Sequence, residues 1–137
     1  MTAAFIYQHR VTYADCTLGN HIYHARYLDL LEAARGALFR HLGFSFLQFQ
    51  NQELIFPVLE SHLYYQSPAR YDDLIDIHLW PTLAHGPRLN FAYQITRAAD
   101  TLILKAETLH VCTNLQDKPK RLPKELITAL EPLLRTA

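Results

Sequence analysis

The chain has 137 residues, half of them hydrophobic, and 13 basic side chains balance 13 acidic ones. This composition predicts a single folded domain over residues 1–137, and the neutral charge balance disfavours binding to nucleic acid or to an anionic membrane surface. Two cysteines do not make a disulfide framework, no apolar run approaches the ~18 residues of a membrane span, and no signal-peptide pattern is apparent, so we expect a cytoplasmic protein.

The predicted elements begin with a strand at residues 5–13, which are rich in β-branched and aromatic side chains. A long helix is predicted at 21–42. After a polar and aromatic stretch, to which no element is assigned, four strands follow at 54–65, 73–83, 88–97 and 101–114. Turn residues separate them, including Ala99 and Asp100. A short amphipathic helix at 123–134 completes the series.

The long helix is predicted to be surrounded by other structure. On a wheel with about 100° per residue, its apolar side chains cover an arc of about 200°. Arg26, Asp29 and Arg40 lie at the opposite edge, and Gly43 is placed to end the helix.

The order of one strand, one long helix and four consecutive strands predicts the α+β class. Phe91, Tyr93 and Ile95 alternate with polar residues, as expected of an antiparallel sheet with one apolar face. We therefore expect a five-stranded antiparallel sheet curled around one central helix.

The most informative segment runs from residue 13 to 27, where a polar turn leads into the predicted helix. It places Asp15, Thr17, His21 and His24 around a helix N-terminus. Such an end offers unpaired backbone N–H groups and a positive dipole, which together can hold a polarised carbonyl oxygen. A carboxylate, a hydroxyl and imidazoles beside it are groups suited to acyl chemistry.

Motifs over nearly the whole chain carry a family resemblance. They are Arg10-Val11-x-Tyr13-x-Asp15, Ile22-Tyr23-His24-Ala25-x-Tyr27, Glu32-x-x-Arg35, Tyr64-Tyr65-x-x-Pro68-Ala69-Arg70-x-Asp72-Asp73, and Val111-Cys112 followed by Lys118-Pro119-x-Arg121-x-Pro123. With these motifs the chain resembles the hotdog-fold acyl-CoA thioesterases. The branch it resembles most is the 4-hydroxybenzoyl-CoA thioesterase-like proteins, including the bacterial enzymes encoded with the Tol–Pal system.

The resemblance implies hydrolysis of acyl-CoA or acyl-carrier-protein thioesters by a homodimer or homotetramer with active sites at subunit interfaces. No metal or separate cofactor is implied, because coenzyme A is part of the substrate. Asp15, Thr17, His24 and Arg35 are then the predicted catalytic residues. The predicted substrate-binding residues are Tyr23, Tyr27, Glu32, Lys118, Lys120 and Arg121, the last three as contacts for the coenzyme A phosphates.

Thr17 departs from the family pattern. An Asp-x-Asp pair usually opens the helix in this family, and its second aspartate is the catalytic carboxylate, whereas this chain has Asp15 followed by Thr17. The related thioesterases of enediyne polyketide pathways carry an asparagine there and rely on it together with a helix arginine, which corresponds to Arg35. Two functions therefore stay open, namely thioester hydrolysis by an atypical mechanism and a non-hydrolytic protein that binds acyl-CoA or acyl-carrier protein.

The candidate residues also have structural interpretations. Asp15 is either a general base, a residue that orients one, or a helix-entry carboxylate that accepts hydrogen bonds from backbone N–H groups near Thr17 and Leu18. Thr17 either positions water or substrate or caps the helix. Arg35 falls inside the apolar arc, where it either faces a pocket and stabilises negative charge or pairs with Glu32.

Overall fold

The computed structural model describes residues 4–98 and 100–137. Its strands and helices, in chain order, are β1 (Phe5–Arg10), β2 (Cys16–Thr17), β3 (His21–Ile22), α1 (Arg26–His41), α2 (Phe46–Asn51), β4 (Val58–Tyr65), β5 (Leu74–His85), β6 (Arg88–Arg97), β7 (Thr101–Val111) and α3 (Lys124–Leu130). Single 3₁₀ turns lie at Tyr13–Asp15 and Glu131–Leu133.

Five of the strands form one antiparallel sheet in the order β1-β5-β6-β7-β4, and β2 pairs with β3 in a separate small hairpin. Leu79, Tyr93 and Ala106 lie opposite one another on adjacent strands, so they share one face of the sheet. The predicted α+β class, with a five-stranded antiparallel sheet and a long helix, is confirmed. Within the described residues, no helix combines the length and apolar character that crossing a membrane requires.

The core lies between α1 and the inner face of the sheet. The buried residues of α1 are Tyr27, Leu30, Leu31, Ala34, Arg35, Leu38 and Phe39. Leu28, which the apolar arc includes, is 44% exposed, and Glu32 is exposed as well. One side of α1 is therefore exposed in a single chain. The apolar arc predicted a helix that is covered more completely than this chain covers it.

Several predicted boundaries differ from the structure. The strands predicted at 54–65, 73–83 and 101–114 are β4, β5 and β7, and the helix predicted at 123–134 is α3, each with the bounds given above. The first strand ends at Arg10 because a 3₁₀ turn follows, and the long helix begins at Arg26 because His21–Ile22 is extended and pairs with β2. The unassigned stretch contains α2, whose first turn is capped by Ser45 accepting a hydrogen bond from the N–H of Gln48. The predicted turn at Ala99 and Asp100 lies partly outside the described residues.

Gly43 ends α1 as predicted. Its φ is +90°, and two backbone bonds close the helix end, from the N–H of Gly43 to the carbonyl of Arg40 and from the N–H of Phe44 to the carbonyl of Phe39. This is the Schellman arrangement, which needs a left-handed residue and therefore favours glycine.

Replacing Gly43 with alanine should lower the free energy of unfolding by about 1 kcal/mol, because a side chain disfavours positive φ. A matched control is Gly36→Ala in the interior of α1, where an added Cβ would sit 3.5 Å from an Arg40 nitrogen and 3.6 Å from the Phe46 ring. These are ordinary contacts, so the control should raise stability by roughly 0.5–1 kcal/mol through helix propensity. Urea denaturation of both variants measures these opposite changes in the free energy of unfolding. A lower free energy of unfolding in both variants would contradict the prediction.

Candidate active site

A buried carboxylate organises the segment that leads into α1. The Oδ2 atom of Asp15 accepts hydrogen bonds from His9 Nε2 at 2.7 Å and from the backbone N–H of Thr12 at 2.8 Å. The Oδ1 atom accepts one from Arg26 Nε at 2.8 Å. Arg26 in turn donates to Asp29. Asp15 thereby connects strand β1, the 3₁₀ turn and the first residue of α1.

The environment of Asp15 makes it a weak base. Burial disfavours the charged carboxylate, but the hydrogen bonds from Thr12, His9 and Arg26 outweigh it and hold the pKa of Asp15 well below its usual range. A buried carboxylate that already accepts three hydrogen bonds is poorly suited to accepting a proton from water. The geometry favours the helix-entry alternative, with Thr12 as the backbone donor in place of Thr17 and Leu18.

The β2–β3 hairpin is fastened to the segment before β5. The backbone N–H of Ile22 donates to the carbonyl of Ala69. The guanidinium of Arg70 donates to the carbonyls of Gly19 and Asn20, and the side chain of Asn20 accepts from the backbone N–H of Tyr71. The Pro68–Asp73 motif of the sequence therefore holds the hairpin in place.

The start of α1 opens into a cleft of about 490 Å³. The residue before the helix is Ala25, whose methyl group cannot cap, so no side chain caps the first turn. Two N–H groups of this turn, those of Arg26 and Leu28, already donate to the backbone carbonyls of Tyr23 and Ala25. The side chains lining the cleft include Thr17, His21, Tyr23, His24, Tyr27 and Tyr65. Thr17 and His21 are paired residues of the hairpin.

Aromatic residues form one wall of the cleft. Tyr27 and Tyr65 meet edge to face with ring centroids 5.7 Å apart, and the hydroxyl of Tyr65 donates to the backbone carbonyl of His24. Tyr23 and His24 have ring centroids 4.5 Å apart. Burial raises the pKa of Tyr27 to about 12, so its hydroxyl stays protonated at neutral pH.

Arg35 lies elsewhere, at a second cavity of about 310 Å³ between α1, α2 and the sheet. It is only 9% exposed, and its Nη1 donates to the hydroxyl of Tyr93 at 2.9 Å. Glu32 also lines this cavity, but no ion pair joins it to Arg35 among the described residues. Of the two alternatives for Arg35, the pair with Glu32 is therefore not formed, and the guanidinium lies at a cavity.

The predicted residues thus separate into two groups within one chain. Thr17, Tyr23, His24 and Tyr27 share the cleft, with Asp15 behind it. Arg35 follows the first residue of α1 by nine positions, or about 14 Å along the helix axis. In a single chain it does not reach a carbonyl held at the start of the same helix.

The basic residues Lys118, Lys120 and Arg121 are exposed on a loop after β7. The loop is pinned by backbone bonds, including one from Lys120 to Cys112. It adjoins Thr113, which pairs with Ile55 on the rim of the second cavity. The loop and the cleft therefore lie at opposite ends of β4.

A buried polar chain extends from Arg35 across the inner face of the sheet. The hydroxyl of Tyr93 lies 2.6 Å from Thr108 Oγ1, which lies 2.9 Å from His110 Nε2, and His110 Nδ1 lies 3.1 Å from the carbonyl oxygen of Phe56. Burial and then the charge of Arg35 lower the pKa of His110 to about 4, against the opposing effect of the Phe56 carbonyl. At neutral pH this imidazole is uncharged.

The proton positions along this series of hydrogen bonds follow from its last acceptor, the carbonyl oxygen of Phe56. A carbonyl can only accept, so His110 Nδ1 carries the proton and Nε2 accepts from Thr108. Thr108 then accepts from Tyr93, and Tyr93 accepts from Arg35. Every hydrogen bond therefore runs in one direction, from the guanidinium to the backbone of Phe56.

Sequence reasoning missed several of these residues. His9, Arg26 and Tyr65 approach the site only through tertiary contacts. Thr108 and His110 had a usable signal, because they alternate in phase with buried Ala106 on β7 and are polar residues at core positions.

Stability should fall as the pH is lowered from about 6.5 to about 4 through His110. His110 binds a proton at its ordinary pKa in the unfolded chain and only at a lower pH in the folded chain. Protonation therefore stabilises the unfolded state relative to the folded state as the pH falls. A lowering from 6.5 to about 4 corresponds to about 3 kcal/mol. Urea denaturation of His110→Gln at several pH values should show a flatter slope across this window than the unaltered chain. Equal slopes would contradict a neutral buried His110.

Comparison with known proteins agrees with this architecture. A profile of the thioesterase-like superfamily matches residues 11–130. The acyl-CoA thioester hydrolase YbgC of Escherichia coli O6:H1 is 36% identical over 127 residues, which cover 92% of this chain and 95% of that protein. The solved structure of a 1,4-dihydroxy-2-naphthoyl-CoA thioesterase from Synechocystis is 25% identical, covering 93% of this chain and 95% of that one with a TM-score of 0.86.

The dynemicin thioesterase has the same fold, with a TM-score of 0.89 at 18% identity, over 98% of this chain and 99% of that one. Together with the five-stranded sheet and long helix, these matches confirm the predicted resemblance at the level of the superfamily. The chain belongs to the thioesterase-like superfamily.

Proposed function

We propose that the protein hydrolyses acyl-CoA or acyl-carrier-protein thioesters to a free acid and a thiol. The observation that carries this proposal is the start of α1, which has no side-chain cap and adjoins a cleft that contains Thr17 and His24. The first-turn N–H groups that do not already donate to backbone carbonyls would polarise the thioester carbonyl, and water would attack it. Developing negative charge on the oxygen gains most from such fixed dipoles, because they need no reorganisation.

We assign the cleft residues different tasks. His24 serves as a proton carrier or hydrogen-bond donor, and Thr17 positions the attacking water. Tyr23 and Tyr27 contact the substrate. Asp15 acts as a positioning residue, because its carboxylate holds Arg26 at the helix start and already accepts three hydrogen bonds.

The alternative function is binding without hydrolysis. The specific observation in its favour is that no aspartate or glutamate lines the cleft in the described chain, since Thr17 stands where the family carries its carboxylate. Release of free thiol from a panel of acyl-CoAs, measured beside calorimetric binding, separates the two functions. Binding without turnover at every chain length would favour the alternative.

The proposed enzyme is a homo-oligomer, as the family resemblance implies. Strand β4 is an edge strand, and its exposed residues include Val58, Leu59 and Tyr64. Antiparallel pairing of β4 with β4 of a second copy would cover this edge. It would also set Val58 of one copy near Tyr65 of the other, and so bring the basic loop of one copy beside the cleft of its neighbour.

That arrangement gives the basic loop a role. A few cations suffice to bind phosphates, and Lys118, Lys120 and Arg121 would contact those of coenzyme A while the pantetheine arm follows the interface to the cleft. Placement in the Tol–Pal-associated branch and a cytoplasmic location stay predictions.

Restoring the family's carboxylate should raise activity. With Thr17→Asp, hydrolysis of short or aromatic acyl-CoAs should rise about tenfold or more, because general-base help is typically worth ~10²–10⁴-fold. Steady-state thiol release measures this gain. Thr17→Asn controls for shape, and Leu18→Asp adds the same charge at the neighbouring turn residue outside the cleft. If Leu18→Asp gave an equal gain, or Thr17→Asp gave none, Thr17 would not lie at the water site.

Removing the basic loop's charge should weaken substrate binding alone. Alanine at Lys118, Lys120 and Arg121 should raise KM about tenfold or more and leave kcat nearly unchanged, since charge-assisted contacts to phosphate act equally in the ground and transition states. Alanine at Arg40 and Lys105, two exposed cations outside the loop, is the control. An unchanged KM in the loop variant would mean that the loop is merely solvated.

A further inference from the structure

The second cavity contains a buried cation that no carboxylate neutralises. A guanidinium carries five N–H donors, and the only protein acceptor bonded to Arg35 within residues 4–98 and 100–137 is the Tyr93 hydroxyl. None of the ion pairs formed by these residues includes Arg35. A charge removed from water without a counter-ion is unfavourable, so the remaining donors call for an anionic partner.

The polar chain behind Arg35 does not supply that partner. Tyr93 donates a hydrogen bond to Thr108, and Thr108 donates one to His110, so each hydroxyl is already engaged. His110 is neutral, because burial and the charge of Arg35 lower its pKa. These hydrogen bonds therefore fix the position of the guanidinium and supply no negative charge to it.

The walls of the cavity are mostly apolar, with Glu32, Gln50 and His110 as the polar side chains besides Arg35. They include the rings of Phe39, Phe46, Phe56 and Phe91, which surround about 310 Å³ of space. That volume corresponds to about ten water molecules and falls at the lower end of the range for small-molecule sites. Aromatic walls around one fixed cation are suited to a molecule with an apolar body and one anionic end.

We propose that this cavity binds an apolar carboxylate, with Arg35 holding the carboxylate group and the phenylalanine rings its hydrocarbon body. A planar carboxylate accepts two parallel N–H bonds from one guanidinium, which matches the donors left free here. The ligand is either a free carboxylic acid or the distal carboxylate of an acyl group. The second source rests on the proposed thioesterase function, and the first does not.

Glu32 provides an independent test of the charge argument. It lines the same cavity but is exposed and forms no ion pair with Arg35 in the described chain. Its negative charge near the mouth opposes a bound carboxylate. Removing that charge should therefore tighten binding of the carboxylate. If Arg35 had only a structural role, the same change would leave the affinity for the carboxylate unaltered.

Calorimetry with octanoate and 3-phenylpropionate, against octan-1-ol and 3-phenylpropan-1-ol, tests the binding. The acids should bind at least about tenfold more tightly than the alcohols, since an ion pair inside an apolar cavity is worth more than a neutral hydrogen bond. Arg35→Gln should abolish the preference and Arg35→Lys should retain part of it. Glu32→Gln should tighten acid binding severalfold, while Glu131→Gln, an exposed glutamate outside the cavity, should change nothing.

Equal binding of acids and alcohols would overturn the proposal, as would a preference that survives Arg35→Gln in a variant with an unchanged Tm. If Arg35→Gln fails to fold, Glu32→Gln decides, and unchanged acid affinity in that variant counts against the proposal.

Hydrolysis then distinguishes the two sources. Octanoyl-CoA is compared with the CoA thioester of octanedioic acid, which has the same length and a distal carboxylate. A higher kcat/KM for the diacid thioester, lost in Arg35→Gln, supports the acyl group as the ligand. Binding of free acids without that preference supports a free acid. Acid binding in a protein that hydrolyses no thioester would remove the proposed function and leave the cavity's ligand class standing.

Discussion

The hydrogen bonds to the Asp15 carboxylate connect the parts from which the candidate site is built. His9 comes from β1, Thr12 from the turn that follows, and Arg26 from the first position of α1. Because one buried carboxylate accepts from all three, the start of the helix has a fixed place relative to the edge of the sheet. The low pKa of Asp15 follows from the same contacts, so the hydrogen bonds that let Asp15 hold these elements together also make it a poor base.

The inner face of the sheet shows a second constraint. Tyr93, Thr108 and His110 place polar groups where a sheet normally buries hydrocarbon, and such groups are tolerated only when they are bonded. Their hydrogen bonds form one directed chain that ends on a backbone carbonyl, which leaves the guanidinium of Arg35 as the single charged group. The helix start and the cavity therefore differ in chemistry, because the first offers backbone N–H dipoles and the second offers a whole positive charge.

Local patterns predicted the elements well and the site only in part. Strand β6 was predicted to the residue, because its alternation is clear and turn residues bound it. The helix start was placed five residues early, since the pairing of His21 with Thr17 depends on a hairpin that no single-segment pattern reports. Asp15, Thr17 and His24 were singled out from their place before the helix, and the structure places Thr17 and His24 in one cleft. Arg35 was recognised as odd, but its partner Tyr93 lies 58 residues away and becomes visible only when the sheet is assembled.

The central claim is that two copies combine one cleft and one basic loop into each active site. Co-expressing a His24→Ala chain with a chain carrying alanine at Lys118, Lys120 and Arg121 tests it directly, with differently tagged chains assayed at substrate concentrations well below KM. Random pairing makes half the dimers mixed, and each mixed dimer has one intact site of two, so the account predicts recovery of about one quarter of the wild-type rate. A rate equal to the mean of the two variants assayed separately would contradict it.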